Sequence, residues 1–251
     1  MLFITLFETD QMNHKLNNTL FNKLSAKGFT PSHAAEVGVY HPETSNIYNY
    51  ISNNTRCTLI EPDPDSIKRI NEHFKQRQNI KLYTVALCDH VGSVDLIQRG
   101  ASTFSSAISS SPSIVNDRYI VNDTDKFTVE ATTFDRIDDG SIDLISIDIE
   151  GGEWFVIKHM TSRPDVISVE THGAAYINPY IAEIRDWVRS NSYVPWYKDN
   201  SDTIYVNKER ISVSMGDKIG LVLKDIHLLL RRAKKKVKLA LKPPLRSGTH
   251  S

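Results

Sequence analysis

Short apolar runs recur along the chain, separated by polar turns and by segments with helical spacing. Residues 15–28 (KLNNTLFNKLSAKG) place Leu16, Leu20, Phe21 and Leu24 on one helical face, with Gly28 as a stop. AAEVGVY (34–40) reads as a short buried strand running into a loop, and a helix is expected near SNIYNYI (45–51). The next unit is clearer: CTLI is a strand and EPDPD a turn. A helix beginning at Asp65 or Ser66 then puts Ile67, Ile70 and Phe74 on its inner face. NIKLYTVALCD (79–89), GSVDLI (92–97) and the β-branched KFTVEATTF (126–134) read as strands. IDLISIDIEGGEWFVIKHM (142–160) reads as strand, turn and helix, and DVISVETHG (165–173) as strand and loop. A helix over 179–190 and a late strand, SDTIYVNKE (201–209), complete the pattern. The polar, Ser-rich stretch 101–116 fits a surface loop, or a loop closing over a ligand.

Strands alternate with helices over most of residues 33–210. That pattern implies an α/β fold with a mostly parallel sheet covered by helices on both faces. Ligands in such folds bind beyond the carboxyl ends of the strands, and the acidic turns of this chain all fall at such ends. A length of 251 residues suits one α/β domain with additions at its ends. The two cysteines, Cys57 and Cys88, lie in apolar surroundings and read as reduced core thiols. Two cysteines are too few for a Cys-rich metal site.

The segment MLFITLFETDQMNH has no basic n-region, and Glu8 and Asp10 interrupt its apolar run, so it does not read as a signal peptide. No run of 18 apolar residues is present, and a cytoplasmic location is expected. Net charge is zero but unevenly placed. Residues 218–246 hold ten Lys or Arg against one acid, Asp225, leaving the rest with 20 basic and 29 acidic residues. Within that tail Leu221, Ile226, Leu228 and Leu229 suggest a packing helix ended by Pro243 and Pro244, and Arg231–Lys238 holds six basic residues in eight. Such a helix could lie on an anionic membrane surface, which would make the protein peripheral at the inner face. It could equally cover the acidic body of its own or a neighbouring subunit, or hold a phosphorylated glycan. No recognition fold or aromatic platform supports specific nucleic-acid binding.

Four places could carry chemistry. Glu61 ends a strand 23 residues after Gly38, close to the spacing of an acid that accepts hydrogen bonds from ribose hydroxyls; a solvent-facing helix cap is the plain alternative. The segment around Gly38 lacks the multiple glycines of a pyrophosphate-binding loop, which argues against a dinucleotide. Glu36 beside it could meet an ammonium group. In Asp148-Ile149-Glu150-Gly151-Gly152-Glu153, three acids in six residues are costly unless solvated, paired or coordinating, and two glycines permit a tight turn. Glu153 at a helix start could simply favour the helix N-terminus. Glu170 and His172 follow at the next strand end, where His172 could take a proton or the two could form a structural pair. Asp148, Glu170 and His172 could also form an N/O site for a divalent ion, though spacing does not establish it. His41, in the loop after Gly38, could face ligand or solvent.

AEVGVY, TLIEPDP, VALCDHVGSVDL, VEATTFDRI, IDLISIDIEGGEWFVIK and ISVETHG occur in that order over residues 34–173, and with them the chain resembles the FkbM family of methyltransferases. The resemblance implies a class I methyltransferase (Rossmann-like) fold, and the residue pattern places that domain over 33–210, with a helical extension over 1–32 and a basic amphipathic tail over 211–251. It implies S-adenosylmethionine as cofactor and O-methylation of a hydroxyl on a sugar, glycan or related polyhydroxyl compound. Glu36, Gly38, Glu61, Asp89 and Asp148 are then expected at the cofactor, with Asp89 near the adenine. Glu150, Glu153 and His41 are expected at the acceptor, and His172, Asp148 and Glu170 at the proton transfer. Two departures stand out: Glu36 and VYHPETSN replace the usual D-x-G-A-N-x-G first motif, and Ser146 stands where the family often has Lys. Competing classes are a methyltransferase with a non-sugar acceptor, a nucleotide-sugar or NAD-using oxidoreductase, and a noncatalytic scaffold on the same fold.

Overall fold

A computed structural model describes residues 18–97, 103–105, 126–173, 176–199 and 201–240. The first helix, α1 (Thr19–Ala26), is capped by Asn18, whose side chain accepts from the Phe21 N–H at 2.9 Å. Leu20 and Leu24 are buried as the helical spacing requires, while Leu16 lies outside the described residues. Strands β1 (His33–Val37) and β2 (Arg56–Ile60) flank the short helix α2 (Tyr48–Ser52). Helix α3 (Pro64–His73) starts earlier than Asp65 or Ser66. Asp63 caps it by accepting from the Ser66 N–H at 2.8 Å, and Pro64 at the first turn needs no partner for its nitrogen.

The region 79–89 splits into β3 (Ile80–Tyr83) and β4 (Ala86–Leu87). Next come β5 (Gly92–Ile97), β6 (Phe104–Ser105), β7 (Lys126–Thr132) and β8 (Leu144–Ile147). The remaining elements are α4 (Glu153–Ile157), β9 (Val166–Glu170), α5 (Ile181–Ser190), β10 (Tyr193–Asp199), β11 (Asp202–Asn207) and α6 (Met215–Ala240). Of the Ser-rich stretch only residues 103–105 are described, and Pro243 and Pro244 lie outside the described residues.

Among the described residues, seven strands form a central sheet in the order β10-β11-β9-β8-β1-β2-β3. The expectation of a mostly parallel sheet is corrected to a mixed one. The pairings β1–β2, β2–β3, β1–β8 and β8–β9 are parallel, but β11 runs antiparallel to both β9 and β10. Strand β10 escapes a sequence reading because Pro195 interrupts it; the register shifts between Pro195 and Tyr197, and Pro is tolerated on this edge strand beside the irregularity. A second, smaller sheet, β4-β7-β5-β6, takes in two strands that read like members of the central one, with β5 and β7 paired antiparallel.

Helices flank the central sheet. Strands β1, β8 and β9 are buried at every position, which explains their nearly continuous apolar sequences. Alternate residues feed two cores. Ala34, Leu59, Leu144 and Val166 face one core with Leu24, Ile51 and Trp196, and Ala35, Ile60, Ile145 and Ile167 face the other with Val156 and Ile184. Cys57 and Cys88 are free and buried, and burial pushes their thiols up to about 12 and about 11. Helix α6 packs along β10 with Leu228 buried, and Lys198 binds Asp225 at 2.5 Å. No helix among the described residues is long and apolar enough to cross a membrane.

Candidate functional site

Strands β1, β2 and β8 end side by side, because Val37 is in register with Ile60 on one side and Ile147 on the other. The chain leaves β1 through Gly38 at φ +81. A Cβ at this position would lie 1.9 Å from the Asp148 carbonyl oxygen. Gly38 is therefore required twice, once for its backbone angle and once for the close approach. The strand pairing continues into the loops: Gly38 N–H donates to Ile60 O, and Asp148 N–H donates to Val37 O, both at 3.0 Å.

Glu61 locks this junction. Its Oε2 accepts from the N–H groups of Val39 and Tyr40, each at 2.9 Å, and its Oε1 accepts from Asp63 N–H at 3.0 Å. Burial raises its pKa, against those three donors. Oε1 has taken a single donor and retains acceptor capacity. Glu36 is buried one strand away, accepting from Ser45 Oγ–H and from Asn46 N–H at 2.8 Å. Burial pushes its carboxyl up to about 8. Asn46 in turn donates to Ser146 at 2.9 Å.

These groups enclose a cavity of about 250 Å³. Glu36, Gly38, Glu61, Asp148 and Glu150 all line it, and the same wall includes the apolar Leu87, Leu96 and Phe155. Tyr40, Thr44, Asn46, Asp63 and Cys88 also reach it. Five expected residues do not: Asp89, His41, Glu153, Glu170 and His172. Asp89 is half-exposed and faces His90 and Lys158, each at 3.3 Å; it is the preceding Cys88 that meets the cavity. His41 packs edge-on against Tyr40 and accepts from Arg69 at 3.1 Å. Glu153 is fully buried, and its carboxylate accepts from Ile149 N–H at 2.9 Å, Gly151 N–H at 3.1 Å and Asn178. It therefore holds the Asp148–Gly152 turn from inside instead of facing an acceptor.

Behind Asp148 the carboxylates crowd. Oxygens of Asp148, Glu153 and Glu170 lie within 4.8 Å of one another. Asp202, directly across the ladder from Glu170, adds a further charge and accepts from Ser168 at 2.8 Å. Burial, followed by mutual repulsion, raises the pKa of Asp148, Glu170 and Asp202. Glu153 is raised by burial too. Among the described residues none of these four forms an ion pair with Lys or Arg. The cluster therefore favours protons or an added cation over four bare charges. His172 stands outside it, so the carboxylate trio replaces the expected Asp148–Glu170–His172 grouping. Its Nδ1 bonds Thr171 Oγ1 at 2.9 Å. Burial, with Lys198, Arg232 and Lys224 nearby, takes its imidazole down to about 4. His172 is thus neutral at pH 7 but a weak base.

Asn46, Asn178 and Asp202 are functional neighbours that sequence reasoning missed. Asp202 becomes visible only once β11 is known to run antiparallel against β9; Asn178 follows a strand end, the one local signal available.

A family model described as "Methyltransferase FkbM domain" matches residues 36–195. The chain belongs to this family. Membership bears out the S-adenosylmethionine-dependent O-methyltransferase acting on a sugar or glycan hydroxyl expected from the motifs. No curated protein matches the chain. Solved structures resembling it are remote. A ribosomal protein L11 methylase from Lactobacillus delbrueckii subsp. bulgaricus is 12% identical over 78% of this chain and 76% of that one, with a TM-score of 0.41. The methyltransferase domain of a bacterial CtHen1 is 10% identical over 77% and 97%, at 0.44. A precorrin-6y C5,15-methyltransferase from Geobacter metallireducens is 14% identical over 74% and 86%, at 0.37.

Two measurements check this FkbM-family site. Gly38→Ala is expected to cost about 3 kcal/mol or more in denaturant unfolding, from the positive φ and the contact with Asp148 together; a loss below ~1 kcal/mol would contradict the close approach. The raised carboxyls bind more protons folded than unfolded, so stability falls as pH rises above the ordinary carboxylate range. For Glu36 that window runs from the ordinary carboxyl value of 4.5 to about 8. Thermal unfolding of the protein without added ligand should drop between pH 6 and 8, and Glu36→Gln should flatten that slope by about 1.4 kcal/mol per pH unit. An unchanged slope would show that Glu36 is not buried as a proton-holding acid.

Proposed function

We propose that the cavity between β1, β2 and β8 binds S-adenosylmethionine and that Asp148 serves the acceptor hydroxyl beside it. The observation that carries this is the convergence of Gly38, Glu61 and Asp148 at three adjacent strand ends, inside the span of the family match. The strand order, with β11 reversed near the edge, supports reading residues 33–210 as a class I (Rossmann-like) methyltransferase domain. The chemistry of the lining fits the cofactor. Glu61 has acceptor capacity left for a ribose hydroxyl, Leu87, Leu96 and Phe155 offer apolar surface for a base, and Glu36 offers a carboxyl for an ammonium group.

When bound, S-adenosylmethionine supplies an electrophilic methyl group on a sulfonium. The chain's own residues do the rest. Glu61 and the Gly38 loop fix position, which matters because attack needs the oxygen, carbon and leaving sulfur in line. Asp148 accepts the hydroxyl proton as the new O–CH3 bond forms. Burial and the Glu153 charge make its carboxylate a stronger base than one in water. Glu150, at φ +58 in the same turn, faces the cavity and can bind a neighbouring hydroxyl. Glu153 and Asn178 position that turn without touching the acceptor. Glu170 lies behind Asp148 and acts through it, and His172 has the lesser role, being outside the lining and too weak a base.

Calorimetric titration should show saturable binding of S-adenosylmethionine and none of NAD, with Glu61→Ala weakening it at least about tenfold. Methyl transfer to hydroxylated acceptors should fall about 10²–10⁴-fold in Asp148→Asn and far less in His172→Ala. A folded protein that ignores S-adenosylmethionine would return the scaffold reading. Greater loss in His172→Ala would transfer the base to the imidazole.

A further inference from the structure

Helix α6 turns only one face to the protein. Leu228 is buried there, Asp225 pairs with Lys198, and Asp217 is held by Ser214 and lies 3.7 Å from Lys27. The helix's acids are therefore engaged with the body or its own N-terminal turn. The opposite face is apolar and exposed. Ile219, Val222, Leu223, Ile226, Leu229 and Leu230 are each 49–63% accessible, and their spacing of three and four residues sets them in one stripe. Exposed Lys218, Arg231 and Lys234 accompany that stripe, and the sequence continues with Lys235, Lys236 and Lys238.

We infer that α6 lies in the surface of an anionic bilayer, its apolar stripe among the upper acyl chains and its cations among the headgroups. Two independent features meet on one helix: a contiguous stripe of six exposed apolar side chains, and cations beside it with the local acids already paired or capped. Anionic lipid answers both at once. A second copy of the helix would cover the stripe, but a parallel pairing would bring the two basic segments together, and no acid among the described residues of the exposed face offsets them.

The direction of the helix gives the docking a consequence. Leu221 adjoins Val194 and Pro195 at the start of β10. Asp225 reaches Lys198 near its end, and the Arg232 charge is felt at His172. The basic end of α6 thus lies at the edge of the sheet where Asp148 and Glu170 sit. A bilayer bound there brings its surface to the edge at which an acceptor enters. The acceptor class this favours is a glycan carried on a lipid, and that part rests on the methyltransferase reading; the docking itself does not.

The test is co-sedimentation of the full chain with vesicles of phosphatidylcholine alone and of phosphatidylcholine mixed with phosphatidylglycerol, alongside its mass in solution by light scattering. Binding should be at least about tenfold tighter to the anionic vesicles and weaken with salt. The double variant Ile226→Glu/Leu229→Glu, both positions being exposed, should keep the unfolding temperature and S-adenosylmethionine affinity while losing vesicle binding about tenfold or more. Arg231→Glu/Lys234→Glu should abolish the preference for anionic lipid. No sedimentation with anionic vesicles overturns the inference. So does equal binding by the Ile226→Glu/Leu229→Glu protein, or a dimer in solution that this variant splits into monomers.

Discussion

The backbone of Gly38 passes so near the Asp148 carbonyl that no side chain fits between them. This contact joins the exits of β1 and β8, and the rest of the site depends on it. It aligns the first loop with the acidic turn. It brings Val39 and Tyr40 N–H groups onto Glu61, and so ties in the exit of β2. Three strand ends distant in sequence thereby share one cavity wall. The unusual first motif is compatible with this arrangement because the single glycine that the geometry demands is the one retained. Glu36 is satisfied by Ser45 and Asn46, both from the divergent loop.

The second organising fact is a surplus of buried acid. Glu36, Asp148, Glu153, Glu170 and Asp202 have raised pKa values, and burial comes first among the causes each time. Such a cluster is tense when charged and relaxed when protonated or when a cation arrives. A methyl donor with a sulfonium and an ammonium brings positive charge, and an acceptor hydroxyl brings a proton. The fold holds its acids in a state from which either can be received. Basic residues are concentrated elsewhere, in α6, with Lys198 paired to that helix instead of to the cluster.

Much of this was legible in the sequence where the signal is local. The mostly apolar runs 57–60, 144–147 and 166–169 become strands because they are buried on both faces, and Glu61, Asp148 and Glu150 reach the cavity because each follows such a run. The rest was set by contacts that pattern does not encode. Asp89 sits beside a lining residue, yet turns outward to Lys158. Glu153 looks like one more cavity acid, but three donors hold it inside the turn. The reversal of β11 and the separate β5–β7 sheet come from pairing partners far along the chain, and strand β10 hides behind Pro195.

The cavity bounded by Gly38, Glu61 and Asp148 is the site proposed for the methyl donor. A crystal structure of the protein with S-adenosylhomocysteine tests it most directly. Ribose hydroxyls are expected on Glu61, the base against Leu87 and Leu96, and the sulfur on the Asp148 side. Ligand density at a different place on the sheet, with this cavity filled by solvent, would contradict it.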